Sequence, residues 1–264
     1  MKKIIGTVPF VNSYPLTFYI NNIDPNINLK FFYPNNLMES LIQKKANISL
    51  LPIANHFTNN NAFSLDKYCI SSKGKVKSVI LVSKSHFKDI NTIFFDTRSK
   101  SSNLLMRVIA EKFFKISFES KTHVPTRNMT FEPNTGYVVI GDLGLEISTS
   151  RMSGLQIYDL GEIWFNETGY PFTFASFNYV ETPSQDLIDV LDFSFKKGIE
   201  SLDKILDYIQ NINDIYVSQK YIEEYLRENI VYKFSKDHIS GIDLFFSLVN
   251  EGIMNGRAKY NEKE

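Results

Sequence analysis

Short apolar runs rich in β-branched and aromatic residues alternate with helical patterns through the first two thirds of the chain. Runs at 4–8, 29–33 and 48–51 predict strands, and the segment 36–42 carries its apolar residues on one helical face. This β-α-β alternation predicts a mainly parallel sheet with helices on its faces.

A second module with the same pattern follows the first. Residues 76–82 predict a strand that begins half buried and ends fully buried. Further strands are predicted at 92–96, 136–140 and 156–158, with a helix at 102–114. Another β-rich run, at 172–177, is predicted to carry the chain back to the first module.

The final third has a helical pattern throughout. The predicted helices cover 183–209, 218–229 and 235–255, with Thr182, Ser218 and Ser235 as candidate caps and Gly256 as a stop. Their apolar stripes are most simply explained as core.

The order of these modules predicts an α/β protein of two lobes joined by two crossing strands. Residues 1–82 and 176–264 would form lobe I, and residues 83–175 would form lobe II. A cleft between two lobes connected in this way is a hinge-type ligand site.

Length and charge agree with this picture and exclude several classes of protein. The 264 residues are enough for two cores, and 29 basic residues balance 29 acidic ones. A chain with no overall basic field is not expected to bind nucleic acid or an anionic membrane. The partner expected is therefore a small molecule.

The sequence gives no sign of export, membrane insertion or metal binding. Pro9 and Asn12 interrupt the short apolar start before a secretory segment could form, and no run approaches the length of a membrane span. We therefore expect a cytoplasmic protein. The four histidines lack metal-ligand spacing, and the single cysteine, Cys69, is expected to be a buried structural thiol.

Three segments that follow predicted strands contain residues that could bind a ligand. In 8–16 a strand ends and a helix begins near Pro15, where α/β folds bind anions. By base rate alone, Asn12 and Ser13 are more often helix caps, and the residues leave this open. In 96–102, hydroxyls, free amides and two cations converge, as they would also in an ordinary capped turn. In 140–144, glycines permit close approach to a ligand or form a simple turn.

The familiar catalytic and cofactor motifs are missing from the sequence. It contains no Gly-x-Ser-x-Gly elbow, no phosphate-binding loop and no dinucleotide fingerprint. We therefore expect no nucleotide cofactor and assign no cofactor of another kind.

Taken together, these segments resemble the chorismate dehydratases, a family of the futalosine route of menaquinone biosynthesis with the periplasmic-binding-protein type II fold. The resemblance covers almost the whole chain. Its most specific parts occur in the family's order, at 9–16, 74–79, 99–102, 140–142 and 159–172.

The resemblance implies a role for particular residues. Asn12 and Ser78 match active-site residues of the family and are the candidate catalytic pair, expected on opposite sides of the substrate ring. The candidate substrate-binding residues are Ser13, Ser99, Lys100, Ser101, Ser102, Gly141 and Asp142. Lys100 stands where the family has arginine, so it keeps the charge but loses the bidentate fork.

The implied reaction is the hydro-lyase elimination of water from chorismate, a dicarboxylate, to give 3-[(1-carboxyvinyl)oxy]benzoate. Two alternatives remain open at this point. One is a non-catalytic solute-binding protein for a small carboxylate, although such proteins normally carry an export signal. The other is 1,4-dihydroxy-6-naphthoate synthase, a lyase of the same fold whose opening Cys-Pro-Asn-Asp pattern is not found here.

Overall fold

The computed structural model describes residues 2–55, 62–150, 152–212 and 215–254. The strands are β1 Lys3–Thr7, β2 Ile27–Phe31, β3 Ile48–Pro52, β4 Phe63–Ser72, β5 Val79–Ser83, β6 Thr92–Asp96, β7 Glu119–His123, β8 Thr135–Ile140, β9 Gln156–Asp159, β10 Phe172–Tyr179 and β11 Val231–Lys233.

The α-helices are α1 Tyr14–Thr17, α2 Leu37–Ile42, α3 Lys100–Val108, α4 Gly141–Thr149, α5 Leu160–Thr168, α6 Gln185–Glu200, α7 Leu202–Asn211, α8 Gln219–Glu224 and α9 Lys236–Met254. A π-helical turn follows α3 at Ile109–Phe113, and another follows α8 at Tyr225–Asn229.

The strands form two sheets, one in each lobe, as the sequence predicts. The first sheet has the order β11-β4-β10-β3-β1-β2, and the second has the order β7-β6-β8-β5-β9. The chain crosses from the first to the second between β4 and β5 and returns between α5 and β10. The α/β fold with two crossings is therefore confirmed.

The expectation of a mainly parallel sheet is wrong. β1 runs parallel to β2 and β3, and β6 runs parallel to β7 and β8. In contrast, β10 is antiparallel to β3 and β4, and β5 is antiparallel to β8 and β9. β5 and β10 enter their sheets from the other lobe rather than through a βαβ crossover, so nothing forces them to be parallel.

The two crossings lie at different residues from the expected boundaries. The boundary expected after residue 82 falls inside β5, which belongs wholly to the second sheet. The boundary expected after residue 175 falls inside β10, which belongs wholly to the first sheet. Each crossing is therefore a connection before its strand and not the strand itself.

Several elements differ from the pattern-based prediction. β4 was not predicted, because its first half is partly exposed and polar. The predicted helix 183–209 is two helices, α6 and α7, separated at Ser201. The predicted helices 102–114 and 218–229 each consist of an α-helix followed by a π-helical turn.

One apolar core continues from lobe to lobe beside the crossings. Trp164 on α5 is fully buried, and its ring centroid lies 5.4 Å from that of Phe172 on β10 and 5.8 Å from that of Phe245 on α9. Edge-to-face aromatic contacts of this kind stabilise a core beyond the area they bury. The C-terminal helix therefore packs directly against the returning chain.

A buried histidine fixes the start of α9. His238 Nδ1 accepts a hydrogen bond from the Ser235 backbone N–H at 3.1 Å, so Nε2 carries the ring proton. That nitrogen lies 2.8 Å from Ser71 Oγ, and Ser71 in turn donates to the Val231 carbonyl at 3.0 Å. The ring thus links α9 to β4 and β11. Burial lowers the pKa of His238.

This arrangement predicts a pH-dependent stability. The unfolded chain protonates His238 near pH 6.5, where the folded protein still holds it neutral, so unfolding becomes easier as the pH falls below that value. We expect chemical denaturation to show a free energy of unfolding that falls between pH 7 and pH 5, in part because of this group. His238→Gln should flatten that pH dependence.

The matched control for this experiment is the exposed His86. His86→Gln should leave the pH profile of the unfolding free energy as it is in the parent. A profile that keeps its full slope in His238→Gln would show that another group is responsible.

Candidate functional site

A cleft lies between the two lobes. Its lining residues come from the ends of strands in both sheets and from the crossings. They are Val8, Phe10, Asn12, Pro34, Leu50, Pro52, Ile70, Val76, Ser78, Val79, Arg98, Ser99, Ser101, Ser102, Ile140, Gly141, Phe174 and Ala175. The cleft is therefore mostly apolar with a few polar groups, which is typical of a small-molecule site.

Asn12 and Ser78 both line this cleft, and a third residue joins them. The Asn12 Nδ2 group donates to the Tyr225 hydroxyl at 3.1 Å, and that hydroxyl donates to Ser78 Oγ at 2.8 Å. Both bonds meet at one phenol oxygen, so the amide and the hydroxyl lie close together in one wall. The expectation that they lie on opposite sides of a bound ring is wrong.

The turn before β5 sets the position of Ser78. Lys77 adopts the left-handed conformation with φ of 61°, so the sequence 76–78 is a turn and not the predicted start of a strand. The Asp159 carboxylate accepts the Val76 N–H at 3.1 Å and the Lys77 N–H at 2.6 Å. It also accepts the N–H of Glu162 and so caps α5.

Ser13 does not face the ligand space as expected. It is fully buried, and its Oγ donates to the carbonyls of Val8 and Phe10 at 2.9 and 2.8 Å. These bonds hold the tight turn that presents Asn12 to the cleft. Its role in this structure is therefore to shape the loop.

The serines of 99–102 line the cleft at the first turn of α3. Ser99 is the N-cap, and its Oγ accepts the Ser102 N–H at 3.2 Å. Ser101 Oγ accepts the Ala54 N–H from the other lobe at 3.1 Å. In contrast, Lys100 is exposed at the first position of the helix and is not among the residues that line the cleft.

Arg98 is the cation among the cleft-lining residues. It was not among the site residues predicted from the sequence. Its Nε and Nη2 groups donate to the two oxygens of the fully buried Asp96 at 2.9 and 2.7 Å. This bidentate pair fixes the guanidinium plane and leaves further N–H groups for another acceptor.

Gly141 lies against Phe10 of the other lobe. Its φ is +67°, and a Cβ at this position would lie 2.8 Å from the Phe10 ring of the other lobe. A side chain here would displace the Phe10 ring and strain the backbone, which explains glycine at this position.

The neighbouring Asp142 connects the lobes instead of lining the cleft. Its Oδ1 accepts the Val11 N–H at 3.1 Å. Burial raises the pKa of Asp142 to about 7, and the nearby Glu146 carboxylate adds to this effect. The bond from Val11 to Asp142 and the bond from Ala54 to Ser101 both hold the cleft closed.

Tyr225 and Arg98 are polar residues of the site that sequence reasoning missed, along with several apolar residues of the lining. Tyr225 falls in a predicted amphipathic helix, where a tyrosine is typical of core, and nothing local marks the π-helical turn. Arg98 was noted as one of two cations in its loop, and an arginine's bidentate geometry would have been the reason to prefer it over Lys100.

Other expectations concern absences and the single cysteine. No group of three or more His, Cys, Asp or Glu residues able to hold a metal ion occurs within the described ranges. Within those same ranges, every helix is too short or too polar to cross a membrane. Cys69 is fully buried, and burial raises the pKa of its thiol to about 12.

Comparison with protein families gives one match that spans nearly the whole chain. The family model described as menaquinone biosynthesis matches residues 4–251.

Solved structures with the same fold come from several organisms. A protein of Archaeoglobus fulgidus, AF1704, has a TM-score of 0.76 at 12% identity, covering 96% of this chain and 98% of its own. The aliphatic sulphonate binding protein SsuA of Escherichia coli has a TM-score of 0.64 at 12% identity, covering 97% and 87%. The Candida albicans protein CA3427, described as having the generic periplasmic-binding-protein fold, has a TM-score of 0.56 at 13% identity, covering 100% and 98%. The predicted periplasmic-binding-protein-like fold is confirmed.

The raised pKa of Asp142 predicts how stability depends on pH. The folded carboxyl keeps its proton up to about pH 7, whereas the unfolded one loses it near pH 3.9. The protonated Asp142 carboxyl contributes its full share to the free energy of unfolding below pH 3.9, and that share is lost as the pH rises through 7. Asp142→Asn should therefore become more stable than the parent at pH 8, by about 2–4 kcal/mol, with no such gain at pH 4.

Denaturant unfolding across this pH range measures the difference. Asp243→Asn, at an exposed position of α9, is the matched control and should follow the parent at every pH. Parallel profiles for Asp142→Asn and the parent would contradict the raised pKa.

Proposed function

Since the chain belongs to the menaquinone biosynthesis family, we propose that it is an enzyme that dehydrates chorismate to 3-[(1-carboxyvinyl)oxy]benzoate. The observation that carries this proposal is the joint presence of Asn12 and Ser78 in one wall of the cleft between the lobes. These are the two residues for which the family resemblance implies a catalytic role.

The cleft suits a compact ring that bears two carboxylates. Apolar side chains such as Phe10, Leu50 and Phe174 offer contact to the ring faces. Arg98 and the first turn of α3 supply N–H groups for one carboxylate, with the helix dipole adding to the attraction.

The reaction removes a ring hydroxyl and the hydrogen of the neighbouring carbon, which bears the enolpyruvyl ether. That carbon is conjugated through a double bond to the ring carboxylate, so negative charge that develops there spreads onto the carboxylate. The C–O bond then breaks, the hydroxide combines with the removed proton, and the ring becomes aromatic. The protein's contribution is to position the substrate and stabilise the developing charge.

The proton acceptor in this proposal is the enolpyruvyl carboxylate of the substrate. Neither an asparagine nor a lone serine is an effective base near neutral pH. Arg98 is the single ionisable side chain among the cleft-lining residues within the described part of the chain, and it is a cation. Asn12 and Ser78 then hold the substrate in the pose that lets its own carboxylate reach the proton.

A non-catalytic binding protein is the second candidate. The SsuA protein of Xanthomonas axonopodis, described as bound to MOPS, has a TM-score of 0.65 at 9% identity, covering 97% of this chain and 93% of its own. That likeness supports a shared fold and a cleft for a small anion. Chorismate turnover distinguishes the two candidates.

The direct test is to incubate the purified protein with chorismate and follow the ultraviolet spectrum of an aromatic product. We expect turnover by the parent and a fall of about a hundredfold in Ser78→Ala, because one positioned donor is lost. Ser85→Ala, outside the cleft, is the control and should keep the parent rate. Tight chorismate binding with no spectral change would support the binding protein instead.

A second test addresses the substrate as base. Asn12→Asp adds a negative charge near the enolpyruvyl carboxylate of the substrate, so we expect slower turnover at pH 8, by about tenfold or more. Lowering the pH should partly restore the rate, because protonation removes the added charge. Faster turnover by Asn12→Asp than by the parent would contradict this mechanism.

A further inference from the structure

We propose that Tyr225 is a positioning residue whose hydroxyl orients Asn12 and Ser78, so that a hydrogen-bond acceptor and a donor lie side by side for the hydroxyl group of the ligand. This inference rests on the proposed function and goes further by assigning the reacting hydroxyl to this wall of the cleft.

The direction of the hydrogen bonds follows from the number of hydrogens available. A phenol has one hydrogen, and Tyr225 donates it to Ser78 Oγ at 2.8 Å. Its oxygen is then left to accept from the Asn12 amide at 3.1 Å. The Asn12 side chain is thereby fixed with its nitrogen toward Tyr225 and its oxygen away from it.

Asn12 and Ser78 are each left with one hydrogen-bonding role toward a ligand. Asn12 Oδ1 is buried and has no hydrogen-bond partner among the residues that the structure describes, so it is free to accept. Ser78 Oγ already accepts from Tyr225, so its own hydrogen is free to donate.

A hydroxyl group matches this pair because it both donates and accepts. Its hydrogen would go to Asn12 Oδ1, and its oxygen would accept the hydrogen of Ser78. A carboxylate fits less well, because it has no hydrogen to offer Asn12 Oδ1. As the C–O bond breaks, charge grows on the departing oxygen, and the donor from Ser78 becomes stronger.

The surroundings of Tyr225 hold it in this place. It is fully buried at the start of the π-helical turn, a type of turn often found at functional sites. On either side of it, Glu224 pairs with Lys77 at 2.6 Å and the Asn229 amide donates to the Lys75 carbonyl at 3.2 Å. Burial keeps the pKa of Tyr225 above its ordinary value, so the hydroxyl retains its hydrogen.

The test is Tyr225→Phe, which removes the hydroxyl and keeps the ring. We expect kcat for chorismate to fall about tenfold to a hundredfold, while KM changes less than about threefold, because the ring carboxylate is bound at Arg98 and not at this pair. In the Ser78→Ala background the same change should have a smaller further effect, since one of the two groups that Tyr225 orients is already missing.

Tyr232→Phe is the matched control. Tyr232 is also buried, and its hydroxyl has no hydrogen-bond partner within the described part of the chain. Loss of a buried phenol there should leave kcat at the parent value. An equal loss in Tyr232→Phe, a parent-like rate in Tyr225→Phe, or the same loss with and without Ser78 would each overturn the inference.

A readout without turnover separates this inference from the proposed function. In ¹⁵N NMR spectra, the side-chain amide signals of Asn12, identified by their absence in Asn12→Asp, should shift in Tyr225→Phe and stay in place in Tyr232→Phe. If the parent fails to convert chorismate, the proposed function is wrong, and these signals alone decide the positioning role. Unchanged Asn12 signals in Tyr225→Phe would overturn it.

Discussion

The carboxylate of Asp159 joins the two connections between the lobes, and the positions of the cleft residues depend on it. One side chain accepts N–H groups from the outgoing crossing and from the first turn of α5, the helix that leads to the returning chain. These bonds offset part of the cost of its burial, which still raises the pKa of Asp159. Because this turn ends at Ser78, the carboxylate fixes a cleft hydroxyl that it never touches. The α8 segment then packs on the same turn and brings Tyr225 to it.

Much of the fold could be predicted from periodicity, and the exceptions have physical causes. β1, β3 and β8 are short apolar runs, so their existence followed from composition alone. β4 escaped prediction because its first half is partly exposed and polar, which is how a surface loop also looks. The direction of β5 and β10 depends on which lobe each strand arrives from, and no local pattern encodes that.

The parts of the candidate site that lie in short sequence motifs could be predicted. The loop of Asn12, the turn of Ser99 and the glycine at 141 all reach the cleft. Their exact roles depended on backbone geometry that spacing does not show: Ser13 turns inward, and Lys100 turns outward. Tyr225 lies 147 residues from Ser78 along the chain, so only the tertiary structure could join them.

Two of the hydrogen bonds that join the lobes beside the cleft, Val11 to Asp142 and Ala54 to Ser101, are asymmetric. In each, the first lobe contributes only a main-chain N–H, from Val11 or Ala54, and the second lobe contributes a specific side chain. Every amino acid except proline offers that N–H. Closure therefore depends on the side chains of Asp142 and Ser101, whereas at Val11 and Ala54 it needs only a free N–H. The side chains of Val11 and Ala54 are instead set by their burial in the apolar core.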